Sequence, residues 1–200
     1  MKLSALKKLH IFTNAFILTS CGYHAPGALH KDGPVALSIP IIPEDDEGIL
    51  RSSLARLISS TPSFHYQASN SRFQLNVVIE KDQSESIGYT WDQDSVTGKI
   101  ENRLYPSEGR RTVKARVSIY DSEKKEDFIS PFTIETSGDY DFVNPTAIKN
   151  IEFRDLEGEK RSVLQYSLGQ LDSEEGAKIE SIHPIFTELA KKIVRALNNL

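Results

Sequence analysis

The sequence has one cysteine, one methionine and one tryptophan in 200 residues. A single cysteine excludes an internal disulfide, and a zinc site would need several cysteines or histidines at close spacing. The five histidines are instead scattered along the chain, at His10, His24, His30, His65 and His183. We therefore expect neither a disulfide framework nor a structural zinc site.

The motifs of common catalytic centres are also missing. The chain has no H-E-x-x-H, no G-x-S-x-G and no glycine loop of the kind that cradles phosphate. The segment 92–98 imitates a calcium loop, but its fifth and sixth places are Val96 and Thr97. The twelfth place is Arg103, where a bidentate glutamate is needed. We expect no enzymatic activity, no metal and no cofactor.

A basic charge excess is absent too, since 24 Lys and Arg stand against 28 Asp and Glu, for a net charge of −4. A nucleic-acid partner would have to find a local basic patch, and we expect no such partner. The composition, 38% hydrophobic and 26% charged, is ordinary for a globular protein. Two hundred residues are enough for one domain with a sizeable core.

The first twenty residues differ from the rest of the chain. Lys2, Lys7 and Lys8 precede a short, mostly apolar run from Leu9 to Leu18, which is the layout of an export signal. The run is too short to span a bilayer as a stable helix. Because polar residues dilute it, an amphipathic first helix is the alternative. We interpret residues 1–20 as a signal peptide.

The lone cysteine follows this run directly. Leu18-Thr19-Ser20-Cys21 resembles a bacterial lipobox, with an aliphatic residue three before the cysteine and small residues between. The resemblance implies cleavage before Cys21, a diacylglyceryl group on its thiol and an acyl chain on its new amine. Such chains hold a protein on a membrane without a transmembrane helix. Gly22, where aspartate would be the retention signal, implies sorting to the outer membrane.

The alternative for Cys21 is a buried free thiol, the commonest fate of a lone cysteine. Its position before a tether rich in glycine and proline, residues 21–34, argues against burial. Removal of residues 1–20 would take away three lysines and change the net charge from −4 to −7.

Residues 35–200 are predicted to form a single α+β domain. Apolar residues alternate with polar ones in three clear strands, Phe73–Glu80, Thr112–Tyr120 and a strand from about Phe132 to Phe142. A shorter strand, Val35–Ile42, places Val35, Leu37, Ile39 and Ile41 on one side; its Pro40 indicates an edge or a strand end.

Two helices complete the prediction. The first spans residues 48–60 and carries a stripe of Ile49, Leu50, Leu54, Leu57 and Ile58. The second begins near Pro184 and carries a stripe of Ile185, Phe186, Leu189, Ile193, Val194 and Leu197. The expected architecture is two helices on one face of a four-stranded sheet, in the order strand-helix-strand-strand-strand-helix.

Three segments fall outside this pattern. Residues 81–110 form a polar stretch too long for a tight hairpin, and residues 121–127 form a charged turn. Residues 143–182 are interpreted as a loop or an insertion. This insertion has a weak helical stripe of Val163, Leu164, Tyr166, Leu168 and Leu171.

The order of these features resembles the LPS-assembly lipoprotein family, LptE. The features that carry the resemblance are Cys21-Gly22-Tyr23-His24, the short first strand ending in proline, the first helix, three amphipathic strands, Tyr140-Asp141-Phe142 and a closing helix. The resemblance implies a lipid-anchored protein on the periplasmic face of the outer membrane. It would plug and help assemble the LPS-transport β-barrel, LptD, and help deliver lipopolysaccharide.

A phosphorylated lipid head group would need arginine and lysine presented together. The best such cluster is Arg110, Arg111, Lys114 and Arg116. The alternative for these residues is an ordinary solvated surface. The alternative for the whole protein is a structural or pilot-type envelope lipoprotein that binds another membrane complex.

Overall fold

The computed structural model describes residues 33–94, 97, 99–144, 152–162 and 173–199. The predicted signal peptide, Cys21, residues 21–32 of the tether and the weak stripe at 163–171 lie outside the described residues.

The described residues form seven strands and three helices. They are β1 (Val35–Ser38), α1 (Ile49–Ser59), β2 (Phe64–Tyr66), β3 (Phe73–Gln93), β4 (Ile100–Asp121), β5 (Glu126–Asp141), β6 (Glu152–Arg154), β7 (Lys160–Ser162), α2 (Glu174–Glu180) and α3 (Ile182–Asn198). Five strands form one mixed sheet in the order β2-β1-β3-β4-β5. In it β1 is parallel to both β2 and β3, while β3, β4 and β5 are antiparallel. The strands β6 and β7 form a separate hairpin.

The α+β class is confirmed, but the prediction of four strands is wrong. The additional strand, β2, has three residues, of which only Phe64 is buried, so it carries too little alternation to be recognised from sequence. It pairs with β1 and makes β1 an interior strand. Pro40 therefore marks the end of a strand, two residues beyond Ser38, and not a sheet edge.

The core lies between one face of the sheet and the helices α1 and α3. The predicted inward residues Val113, Ala115, Val117 and Ile119 are all completely buried, as is Leu75. The apolar stripes of the two helices pack against these strand residues. The buried residues of the stripes are Leu50, Leu54 and Ile58 of α1, and Ile185, Phe186, Leu189, Ile193, Val194 and Leu197 of α3. The predicted strand register and helical faces are confirmed for these residues.

The start of α1 is fixed by a carboxylate that precedes it. The Asp45 carboxylate accepts hydrogen bonds from the backbone N–H groups of Leu50 (3.1 Å) and Arg51 (2.8 Å), which have no partner within the helix. The Arg51 Nε donates to the Ile39 carbonyl at 3.0 Å and ties the helix to the end of β1. The chain turns there, so Ile41 is 83% exposed and its predicted inward position is wrong.

An ion pair holds the turn between β4 and β5. The Asp121 carboxylate is 1% exposed and accepts from Arg72 Nη2 at 2.7 Å. It also accepts from the backbone N–H groups of Glu123 (3.0 Å) and Lys124 (3.2 Å). The Arg72 hydrogen bonds are the main cause that lowers the pKa of Asp121 to about 2. The charged turn predicted at 121–127 therefore has a buried anchor.

Most of the polar stretch at 81–110, which fell outside the predicted strands, is strand in the structure. Strand β3 continues to Gln93 and β4 starts at Ile100, so the two strands form a long hairpin, and its end extends past Glu108, where the pairing of β4 with β5 stops. Several bulges interrupt its register. Most side chains between Lys81 and Gln93 are exposed, so burial imposes little apolar alternation on this part of the strand.

The predicted insertion at 143–182 contains the β6–β7 hairpin and α2. The Ser173 hydroxyl caps α2 by accepting from the Gly176 N–H at 3.2 Å. The closing helix α3 starts at Ile182, so Pro184 lies in its first turn.

Within the described ranges, no helix combines the length and the apolar character needed to cross a bilayer.

Candidate binding surfaces

The four predicted cationic residues lie on β4 but not on one surface. Side chains alternate between the two faces of a strand, and the odd-numbered residues of this part of β4 face the helices. Arg110, Lys114 and Arg116 therefore lie on the face of the sheet that α1 and α3 leave uncovered, called here the open face. Arg111 lies on the opposite face, where its Nη1 donates to the Lys178 carbonyl at 2.9 Å.

Two of these arginines are held by carboxylates in bidentate pairs. Arg110 donates to Asp139 at 2.6 and 2.9 Å, and Arg111 donates to Asp82 at 2.8 and 2.6 Å. Each hydrogen-bonded pair raises the pKa of its arginine, and Arg110 lowers the pKa of Asp139. The side chain of Arg111 is only 11% exposed. A phosphate at Arg110 would have to displace a carboxylate that already occupies the guanidinium fork.

The other two cations are less tightly paired, although Lys114 is only partly exposed. Arg116 makes a longer contact, 3.4 Å from its Nε to Glu80, and its side chain is 55% exposed. Lys114 has no ion pair or hydrogen bond to another described side chain. The structure thus brings three of the four predicted residues to the open face, with Lys114 as the cation most available to an anion there.

The open face is polar beyond these cations. Neighbouring positions on it include Asn76 of β3, Ser118 of β4 and Thr133 of β5, which alternate with the buried apolar residues of the same strands. Pro40 to Pro43 border a recess of about 400 Å³ at one end of this face, next to Val78 and Arg116. The sheet therefore has a dry face under the helices and a hydrated face without a cover among the described residues.

The long β3–β4 hairpin carries an exposed apolar strip. Tyr89 pairs with Pro106 and Trp91 pairs with Leu104, so the four side chains share one face of the hairpin. Tyr89 is 57% exposed, Trp91 45% and Leu104 51%. An uncovered cluster of large apolar side chains often marks an interaction surface. Trp91 is also the sole tryptophan of the chain.

The opposite face of the hairpin is polar and internally bonded. The Asp92 carboxylate is buried and lies 3.0 Å from Arg103 Nη2, while the Tyr105 hydroxyl donates to it at 3.2 Å. Burial, followed by this hydrogen bond, raises the pKa of Tyr105. Asp92 is thus a structural acceptor in the segment that imitates a calcium loop. Among the described residues, no group of three or more His, Cys, Asp or Glu side chains is placed to hold a metal ion.

Sequence reasoning missed the apolar strip because it treated residues 81–110 as one polar stretch. The sequence does contain a strand pattern here, since Ile87, Tyr89 and Trp91 alternate with small or polar residues. Bulges shift the register of β3 and β4 just before Tyr89 and just after Trp91, and bulge positions cannot be read from one sequence.

Comparison with known proteins gave structural likenesses only. No family model matches the chain, and no curated protein matches it. Among solved structures, a minor lipoprotein from Acinetobacter baumannii is 12% identical with a TM-score of 0.44, over 82% of this chain and 91% of that one. Lipoprotein B from Nitrosomonas europaea is 12% identical with a TM-score of 0.43, over 89% and 88% of the two chains.

The rare lipoprotein B from Shewanella oneidensis is 15% identical with a TM-score of 0.37, over 81% of this chain and 92% of that one. Each TM-score is below 0.5, so these likenesses decide neither the fold nor the function of this chain.

Proposed function

We propose that this chain is a non-catalytic outer-membrane lipoprotein that fills the lumen of an LPS-transport β-barrel and helps deliver lipopolysaccharide. Its membrane attachment is the acylated Cys21, on the periplasmic face. The tether that follows Cys21 connects the anchor to the domain, whose first strand begins at Val35. The proposal needs no cofactor besides the covalent acyl chains on Cys21.

The observation that carries the proposal is the two-faced sheet. The helices bury one face, and the open face presents side chains such as Asn76, Lys114 and Ser118. The lumen of a large barrel is polar and filled with water, so a protein inside it needs hydrated outer surfaces and a dry interior. A compact α+β domain with a hydrated sheet face meets that requirement.

The hairpin adds a second kind of surface. Its two strands run for roughly 40 Å between Lys81 and Gln93, taking about 3.3 Å per residue. The Trp91 and Leu104 pair near its end offers apolar contact to a partner. A pilot-type lipoprotein that docks on another complex could use the same strip, so this feature also favours the alternative function and does not separate the two.

The geometry favours one of the four predicted cations as a contact to lipopolysaccharide phosphate. Lys114 is the first candidate, because it lies on the open face and has no described carboxylate partner. Arg110 and Arg116 lie on the same face but would have to exchange Asp139 and Glu80 for the phosphate. Arg111 belongs to the opposite face and is better suited to holding α2 through the Lys178 carbonyl.

Co-purification from detergent-solubilised membranes tests the proposal. We expect the full chain to bring down a β-barrel of the LPS-transport class, and fatty-acid label to be incorporated at Cys21. The Cys21→Ser variant is the matched control, which should lose the label and keep the fold. Recovery of a different complex with no such barrel would favour the structural or pilot-type function.

A further inference from the structure

A groove of about 770 Å³ runs between the outer edge of β5 and the helices α2 and α3. Its floor is the segment 137–141 of β5. Its far wall includes Glu180 at the end of α2, and Pro184 and Glu188 of α3. None of the four cations proposed for lipopolysaccharide lines the groove, but its Asp139 is the carboxylate that pairs with Arg110.

The floor of the groove is an unpaired strand edge. Among the described strands, β5 has β4 as its one neighbour and ends the sheet. Two hydrogen bonds fix which backbone groups point outward. The Phe142 N–H donates to the Ser107 carbonyl of β4 at 3.0 Å, so even-numbered residues bond to β4. Lys192 Nζ donates to the Glu135 carbonyl at 2.9 Å, so the backbone N–H and C=O groups of odd-numbered residues point away from β4.

Alternation along the strand carries this pattern into the groove. In an antiparallel pair, the N–H and C=O of every second residue point to the same side. Ser137, Asp139 and Asp141 therefore present their N–H and C=O groups to the groove, beyond the Glu135 carbonyl that Lys192 covers. A segment of five extended residues is about 17 Å long and matches this floor.

The charges around the groove indicate what kind of segment fits. Four carboxylates border it, on Asp139, Asp141, Glu180 and Glu188, against the ammonium of Lys191. Asp139 is paired with Arg110, and Glu188 with Lys191 at 3.2 Å. Asp141 and Glu180 have no ion pair to another described residue. An occupant with lysine or arginine side chains would supply the missing opposite charge.

We propose that the β5 edge binds an extended, basic segment of a partner protein by β-strand addition. Backbone hydrogen bonds from the three outward residues supply the contact, and the acidic rim selects lysine or arginine side chains. The proposal is independent of whether the domain fills a barrel, because the edge and the rim belong to the domain itself.

The test uses a panel of ten-residue synthetic peptides in which lysine alternates with Val, Ile, Leu or Tyr, titrated into the full chain in detergent micelles. Hydrogen exchange then locates any bound peptide. We expect binding at low ionic strength, slower exchange of the amides of Ser137, Asp139 and Asp141, and no binding when glutamate replaces lysine. Peptides with N-methylated backbone amides keep the charge but cannot pair, and they should not bind.

Ser137→Pro removes one outward N–H without touching the bonds to β4, and edge strands tolerate proline. We expect it to weaken peptide binding about tenfold or more. Thr133→Pro is the matched control, because Thr133 is also an outward residue of β5 but lies outside the groove; it should bind the peptides like the wild type. Asp141→Asn with Glu180→Gln should weaken binding and reduce its dependence on salt.

Three results would overturn the proposal. One is that no peptide of the panel binds at 1 mM or less, on the order expected for a weak specific site. Another is equal binding to the Ser137→Pro and Thr133→Pro variants, or to the N-methylated peptides. The third is that the three amides are already protected in the chain without peptide, which would mean that another segment of the same chain fills the groove.

Discussion

Replacement of Gly138 by alanine tests how closely β5 and α3 pack. A Cβ built at Gly138 would lie 2.8 Å from Ile185 Cγ1 and 3.2 Å from its Cδ1. Ile185 is 3% exposed, so its side chain has little room to move aside. Alanine would stabilise by about 0.4–1 kcal/mol by reducing the freedom of the unfolded chain. Overpacking a filled core costs about 1–3 kcal/mol, which is the larger effect.

We therefore expect Gly138→Ala to lower the free energy of unfolding by about 1–2 kcal/mol, measured by urea unfolding. Ile185→Ala alone should lower it by about 2–4 kcal/mol through the cavity that it leaves. In the double variant the new methyl group occupies part of that cavity. Its loss should be smaller than the sum of the single losses by about 1 kcal/mol or more. A stabilising Gly138→Ala, or strictly additive losses, would refute this packing.

Three further predictions concern the core, the buried ion pair and the open face. Val117→Asp should lower the free energy of unfolding by more than about 3 kcal/mol, because it buries an unpaired charge. Asn76→Asp on the open face should change it by no more than about 0.5 kcal/mol. If urea unfolding showed the reverse order, the strand register would be wrong by one residue. The pKa of Asp121 is lowered to about 2 in the folded protein, from 3.8 for a free carboxyl. Its stabilising effect should be fully present above about pH 4 and be lost as the pH falls through about 2. In the Asp121→Asn variant, the free energy of unfolding should fall less steeply across that pH window than in the wild type. An equally steep fall would contradict the role of the Arg72 pair. Lys114→Ala should weaken binding of lipopolysaccharide about threefold at low salt, with wild-type binding falling as salt rises. Equal affinities at both salt concentrations would remove Lys114 as a phosphate contact.

The elements that sequence predicted best are those with a long, one-sided apolar pattern. Val113 to Ile119 alternates over seven residues, and the stripe of α3 from Ile185 to Leu197 repeats over three turns. Both patterns arise because one side must be buried, so burial and pattern agree. Short or uncovered elements have no such requirement, which is why the sequence did not predict β2 or the extension of β3 and β4 through residues 81–110.

The candidate site shows a different limit of sequence reasoning. Arg110 and Arg111 are adjacent in sequence, and for that reason point to opposite faces of β4. Their carboxylate partners, Asp139 and Asp82, are each 29 residues away and become neighbours only through strand pairing. A cluster of like charge in sequence can therefore be a set of separate ion pairs in the fold.

The most direct test of the barrel-plug proposal is photocrosslinking from opposite sides of the domain in intact cells. A photoreactive residue placed at Ser118 samples the open face, and one at Arg56 samples the exposed side of α1. A protein enclosed by a barrel is surrounded by it, so we expect both positions to crosslink to the same LPS-transport barrel protein. Crosslinks to that barrel from one side only, or from neither, would contradict enclosure in its lumen.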